Sequence, residues 1–190
     1  QGNANAQNNL GFMYLNGHGV KQDYAEAVRL FRLGADQGNA AAQVNLGFMS
    51  RHSQGVKQDY AEAVRLFRLG TDQGYANAQK NLGFMYRHGH GVKQDYSEAE
   101  RLFRMAVDQG YANAQSNLGV MFHHGQGVKQ DYSEALRLYR MAVEQGNAVA
   151  QANLGEMYEH GHGVKQDYAT AITMYPMAID RGCPEAKDYA

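Results

Sequence analysis

The sequence repeats itself every 36 residues, and that period decides what the chain can fold into. Gln1-Gly2 returns as Gln37-Gly38, Gln73-Gly74, Gln109-Gly110 and Gln145-Gly146. The hexapeptide Gly19-Val20-Lys21-Gln22-Asp23-Tyr24 returns unchanged from Gly55, Gly91, Gly127 and Gly163. No copy carries an insertion. The 190 residues therefore divide into copies 1–36, 37–72, 73–108, 109–144 and 145–180, with a partial sixth copy at 181–190. We read them as one repeat domain. A unit this short cannot bury an apolar face alone; stacking on neighbours of its own kind completes the core.

Each copy reads as two helices, so the fold class is all-α. Helix A is expected from about Ala4 to Asn16, because Ala6, Leu10, Met13 and Tyr14 follow the three-four spacing of one helical face. Gly17 stands where a left-handed cap ends such a helix, and Ser53 replaces it in the second copy at some conformational cost. Helix B is expected from about Tyr24 to Ala35, with Tyr24, Ala27, Leu30 and Phe31 as its buried stripe. Asp23 is a good N-cap, and Glu26 lies at capping-box distance. The pair recurs as Asp59–Glu62, Asp95–Glu98 and Asp131–Glu134, and Thr170 breaks it in the fifth copy. Gly11 is kept in every copy although glycine costs a helix about 1 kcal/mol. A close approach of helix B, at Ala27, would explain it. Met13 also recurs in every copy and reads as a core ladder. Pro176 should kink or weaken the last helix B, and Pro184 is placed to open a sixth helix A.

Composition removes several functions. The net charge of -1 lacks the basic excess that nucleic acid asks for. The single cysteine, Cys183, rules out a disulfide within the chain. No apolar stretch approaches the length of a membrane span, so membrane insertion is not expected. The chain starts at Gln1, which reads as a fragment or a processed form; the compartment stays open. Histidines cluster as His88/His90, His123/His124 and His160/His162. Zinc needs three or four ligands within roughly 2.0–2.3 Å of one point. Histidines one period apart would sit on helices roughly 8–10 Å apart, with no acid or cysteine placed to complete a set. We therefore expect no metal and no cofactor. The Gly-x-Gly of each copy follows a helix, which excludes a dinucleotide fingerprint. An active site needs different residues in different roles, whereas this array supplies one setting five times. Cys183, beside Pro184, reads as incidental, so an enzyme is not expected.

The string Ala-Gln-x-Asn-Leu-Gly-x-Met-Tyr, followed by Gly-x-Gly-Val-x-Gln-Asp-Tyr-x-x-Ala, runs from Ala6 to Ala27 and returns in every later copy, with Ser50 and Phe122 for the first tyrosine and Ser53 for the glycine that follows it. It resembles the Sel-one-like repeat family, a relative of the tetratricopeptide repeat. The resemblance implies a right-handed α/α superhelical solenoid with helix A on the concave side, and a role as an adaptor or scaffold for protein or peptide partners. Some bacterial members carry a cysteine pair per repeat and are linked to penicillin or peptidoglycan binding; this chain has no such pairs. A binder or hydrolase of cell-wall fragments, and a structural spacer that binds nothing, are the alternative readings.

Positions that vary between copies are free of scaffold duty. In helix A, Asn8 becomes Val44, Lys80, Ser116 and Ala152, and Phe12 becomes Phe48, Phe84, Val120 and Glu156. Leu15 becomes Arg51, Arg87, His123 and Glu159, while Asn16 becomes His52, His88, His124 and His160. Positions 8, 12, 15 and 16 share one helical face. By the family resemblance this face lines the concave groove, and these residues are the candidate partner-binding set. The middle copies are basic there and the last is acidic, which suits an extended peptide with an acidic or carboxylate end over copies two and three. Phe12, Phe48 and Phe84 would be apolar anchors. The plainer reading is a solvated surface that drifted after duplication. The constant Asn9 and its equivalents could face the groove or bond the neighbouring copy.

Overall fold

The computed structural model describes residues 2–180, with side chains through Tyr175. Among the described residues there are ten helices and no strand. The A helices are α1 (Ala4–Asn16), α3 (Ala40–His52), α5 (Ala76–His88), α7 (Ala112–His124) and α9 (Ala148–His160). The B helices are α2 (Tyr24–Asp36), α4 (Tyr60–Asp72), α6 (Tyr96–Asp108), α8 (Tyr132–Glu144) and α10 (Tyr168–Asp180). They form two compact units, Gln1–Asp95 with α1 to α5 and Tyr96–Ala190 with α6 to α10. In the first unit α3 packs on α2, α4 and both neighbouring A helices; in the second, α7 packs on α6, α8 and α9. Cys183, Pro184 and the partial sixth copy lie outside the described residues.

Local chemistry sets the helix ends. Asn3, Asn39 and Asn147 cap the A helices by accepting from the amides of Ala6, Ala42 and Ala150. Tyr75 and Tyr111 hold the same place in α5 and α7 and make no side-chain cap. Gly17 ends α1 at φ 71, and Ser53 ends α3 in the same left-handed region at φ 59. Asp23 caps α2 by accepting from the Glu26 amide at 3.0 Å. The box closes from one side only. The Glu26 carboxylate turns to Arg29 at 2.6 Å, and the Asp23 amide donates to the Tyr14 carbonyl. Thr170 breaks the Asp–Glu pair but not the cap, since Asp167 accepts from both its amide and its hydroxyl. Helix α10 runs through Pro176 to Asp180 as one helix. The carbonyl left without a donor belongs to Ile172, an exposed residue that water can reach.

Three contacts assemble the stack. Phe31 of α2, not Ala27, presses on Gly11: a Cβ there would lie 2.8 Å from the ring. Gly47–Phe67, Gly119–Tyr139 and Gly155–Tyr175 repeat the contact. Gly34 and Gly70 admit the Cβ of Ala42 and Ala78 from the following A helix. The loop after each A helix leans on the start of the previous B helix, with Gly55 against Tyr24 and Gly163 against Tyr132. Tyr24 and its equivalents are thus a seat for the next loop, where the sequence pattern suggested a core stripe. Met49, Met85, Met121 and Met157 are fully buried, as the ladder required, whereas Met13, in the first copy with no described copy before it to cover it, is exposed.

Candidate functional site

The four variable positions separate by burial. Position 8 turns inward: Val44, Ser116 and Ala152 are buried, and Val44 packs beside Gly70. A helical face drawn from spacing alone does not show that α4 closes over this side of α3. Lys80 reaches out from the same position and stays half-buried. Positions 12, 15 and 16 remain at the surface for the most part. Phe12 and Phe48 are exposed, and Phe84, Val120 and Glu156 are half-buried. At position 9, Asn45, Asn81 and Asn117 bond within the array. Asn45 donates to Asn8 of the previous copy at 2.9 Å, and Asn117 bonds back to the Asn113 carbonyl.

In the first unit the candidates converge. The Arg51 guanidinium lies 3.8 Å above the centre of the Phe84 ring, a close cation–π contact. Lys80 Nζ donates to Asn81 Oδ1 at 2.9 Å. Burial, and then the charge of Arg51, pull the Lys80 ammonium down to about 8. Burial also lowers Arg51, and no carboxylate pairs with either cation among the described residues. His52 and His88 lie tilted against Phe48 and Phe84 with ring centres 4.2 Å apart in both pairs. Burial first, and the nearby cations second, hold both imidazoles below their ordinary pKa. They are therefore neutral near pH 7, and Arg51 and Lys80 carry the charge. Arg87, one copy on, is half-buried.

In the second unit the same positions make something else. His123 is buried, with 3% of its surface exposed, and its Nε2 lies 3.0 Å from Nδ1 of His162. His124 is exposed and stacks on His123, and His160 is exposed beside His162. The half-buried Glu159 carboxylate accepts from the Tyr175 hydroxyl at 2.6 Å through one of its two oxygens.

The loop histidines are what sequence reasoning missed. Position 18 reads His18, Gln54, His90, Gln126, His162. His90 stacks on Tyr60 and His162 on Tyr132, each seated on the preceding copy. The alternation of His with Gln two residues before a constant Val was the available signal. The constant loop glutamine was missed too. Gln58 donates to the carbonyl of Arg51 and Gln130 to that of His123, which pins the backbone beneath position 15 while its side chain varies.

Other concavities are less specific. Clefts of about 340 and 540 Å³ recur where Arg68 meets Tyr86 and where Arg140 meets Tyr158, against the loops 92–95 and 164–167. Each carries both signs of charge and selects no ligand class. Among the described residues no three His, Cys, Asp or Glu side chains are grouped to hold a metal ion, and no helix is long and apolar enough to cross a membrane.

A family model described as Sel1 repeat matches residues 4–39, 40–75, 76–111, 112–147 and 148–183. No curated protein matches the chain. Among solved structures, a Sel1 repeat protein from Oxalobacter formigenes is 35% identical with a TM-score of 0.85, over 98% of this chain and 76% of that one. A protective antigen of uropathogenic Escherichia coli that displays the SLR fold is 36% identical with a TM-score of 0.77, over 97% of this chain and 39% of that one. An immunity protein from Pseudomonas aeruginosa shares the fold at 23% identity and a TM-score of 0.69, over 96% of this chain and 67% of that one.

Proposed function

Because this chain belongs to the Sel1 repeat family, whose members are generally non-catalytic scaffolds for protein interactions, we propose that its A-helix face holds a protein or peptide partner. In the first unit that face takes an acidic segment of the partner. The observation that carries this reading is the pair Arg51 and Lys80, two half-buried cations beside Phe84 with no acid among the described residues to neutralise them. Holding two such charges together costs stability, and an incoming carboxylate repays it. Nδ1 of His90 points the same way, being buried without a hydrogen-bond partner among the described residues. Phe48 and Phe84 supply the apolar contact that anchors a peptide.

A peptide library screened against the chain should enrich Asp- and Glu-rich sequences over neutral ones. Affinity for the selected peptide should fall by about tenfold or more in Arg51→Gln with Lys80→Ser, the scale of one charge-assisted hydrogen bond, while Tm does not drop. Binding should also weaken as pH rises through about 8, where Lys80 loses its proton. Selection of neutral or basic peptides, or full affinity in the double variant, overturns the assignment.

A further inference from the structure

We propose that His123 and His162 form an acid-sensitive latch between the fourth and fifth hairpins, closed near neutral pH and opened when both rings are protonated. The two residues come from different copies: His123 from the end of α7, and His162 from the loop between α9 and α10. Their nitrogens meet at 3.0 Å with the rings nearly perpendicular, at 73°. The loop is gripped from a second side by Tyr132 of α8, stacked on His162 at 4.6 Å and 6°. Gly163, the next residue, is pressed against Tyr132 so closely that a Cβ would lie 2.7 Å away. Beside the apolar packing of α9 on α8, the fifth hairpin therefore grips the fourth at this end through a small, part-buried polar contact.

That contact counts protons. With both rings neutral, one nitrogen carries the hydrogen and the other accepts it. A first added proton leaves one acceptor, so the bond survives. A second leaves two N–H groups facing each other and two positive rings, one of them buried. The groups around the pair amplify this. His124 stacks on His123 at 4.7 Å and His160 lies beside His162 at 5.5 Å. Tyr132 and Tyr139 meet His123 edge-on, and Glu156 is the one acid among the described residues that acts on it. Burial first, and then the other three histidines, hold His123 below the ordinary histidine value, with Glu156 pulling the other way. A histidine depressed in the folded state is neutral there when the unfolded chain already binds a proton. Its contribution to stability is present above the unfolded value near 6.5 and is lost as pH falls through the lower, folded value.

Hydrogen–deuterium exchange on the full chain tests the latch, with rates expressed as protection factors to remove the intrinsic effect of pH. Between pH 7.5 and pH 5, amides of α9 and of the loop 161–167 should lose protection by about tenfold or more, whereas α3 should not. His162→Gln, which installs the residue found at Gln54 and Gln126, should abolish that response. Unchanged protection of α9 in the parent chain overturns the proposal, as does the same loss in the variant. Should the variant not fold, ring ¹⁵N titration of the parent decides. Two linked steps, the lower well under the ordinary histidine range, support the latch; two independent ordinary titrations sink it.

Discussion

One scaffold carries two different polar devices, and comparing them shows which positions write them. In the first unit, Arg51 occupies position 15 of copy two, with Phe84 and His90 at positions 12 and 18 of copy three. In the second unit the same three places hold His123, Glu156 and His162. The seat below is the same: His90 stacks on Tyr60 at 4.8 Å, and His162 on Tyr132 at 4.6 Å. What differs lies above it. Phe84 offers a π face, and Arg51 leaves the loop histidine to lie on it. Position 12 of the fifth copy is Glu156, which offers no π face, and His123 bonds His162 instead. A guanidinium laid on a phenyl ring and a histidine bonded to a histidine thus differ by substitutions at positions 12 and 15, on a backbone that Gln58 and Gln130 fix in the same way.

The comparison breaks most severely if the scaffold beneath one device is removed. Gly47→Val puts side-chain carbon where a Cβ alone would lie 2.7 Å from the Phe67 ring. That ring is fully buried and cannot swing aside, so the variant should lose about 3 kcal/mol in urea melts. Stability in a repeat array passes mainly between nearest neighbours. Exchange protection of α3 and α4 should collapse while α9 keeps its own, and equal loss at α9 would show that the two devices do not ride on separable supports.

Arg51→His sharpens the comparison by rewriting the first device as the second. His90 already waits on Tyr60 with its Nδ1 unbonded, the atom that in His162 meets His123. The variant should gain a pair of coupled ring titrations in the first unit, visible by NMR. At pH 7.5 it should lose about tenfold in affinity for an acidic peptide, since a neutral ring replaces the guanidinium. Independent titration of His90 in this variant would mean that Phe84, and not position 15, decides which device forms.

The fold was legible because it is periodic. The cap at Asp23, the left-handed turn at Gly17 and Ser53, and the methionine ladder follow from local rules that hold in every copy. The glycine at position 11 was read as a close contact, but the partner was misjudged. Spacing along a chain does not say that Phe31, four residues past Ala27, is long enough to reach it first. The site was harder to read for the same reason. Val44 varies as a binding residue would, yet it is buried, because variation marks any place where several small side chains fit. Glu159, taken alone, does not announce the Tyr175 hydroxyl that α10 brings to it. The signal was present as a pairing within the chain: Phe31, Phe67 and Phe103 give way to Tyr139 and Tyr175 in the copies where position 15 is His123 or Glu159.

The smallest effect concerns how firmly each A helix presents its face. Asn39 and Asn147 cap α3 and α9 through the amides of Ala42 and Ala150, both at 2.8 Å. Tyr75 stands at the start of α5, the helix that carries Lys80 and Phe84, and leaves its first turn without that bond. Its backbone, at φ -74 and ψ 112, matches Asn39 at φ -67 and ψ 113, so Tyr75→Asn needs no rearrangement. The new carboxamide should take over the Ala78 amide, which now donates to the Tyr75 carbonyl at 2.9 Å, and add about 0.5 kcal/mol. For a chain of this size that corresponds to a rise of roughly 1–2 °C in Tm. The same substitution should leave acidic-peptide affinity unchanged, since Tyr75 lies at the opposite end of α5 from His88. A change in affinity without a change in Tm would place Tyr75 among the partner's contacts and extend the face by a full helix length.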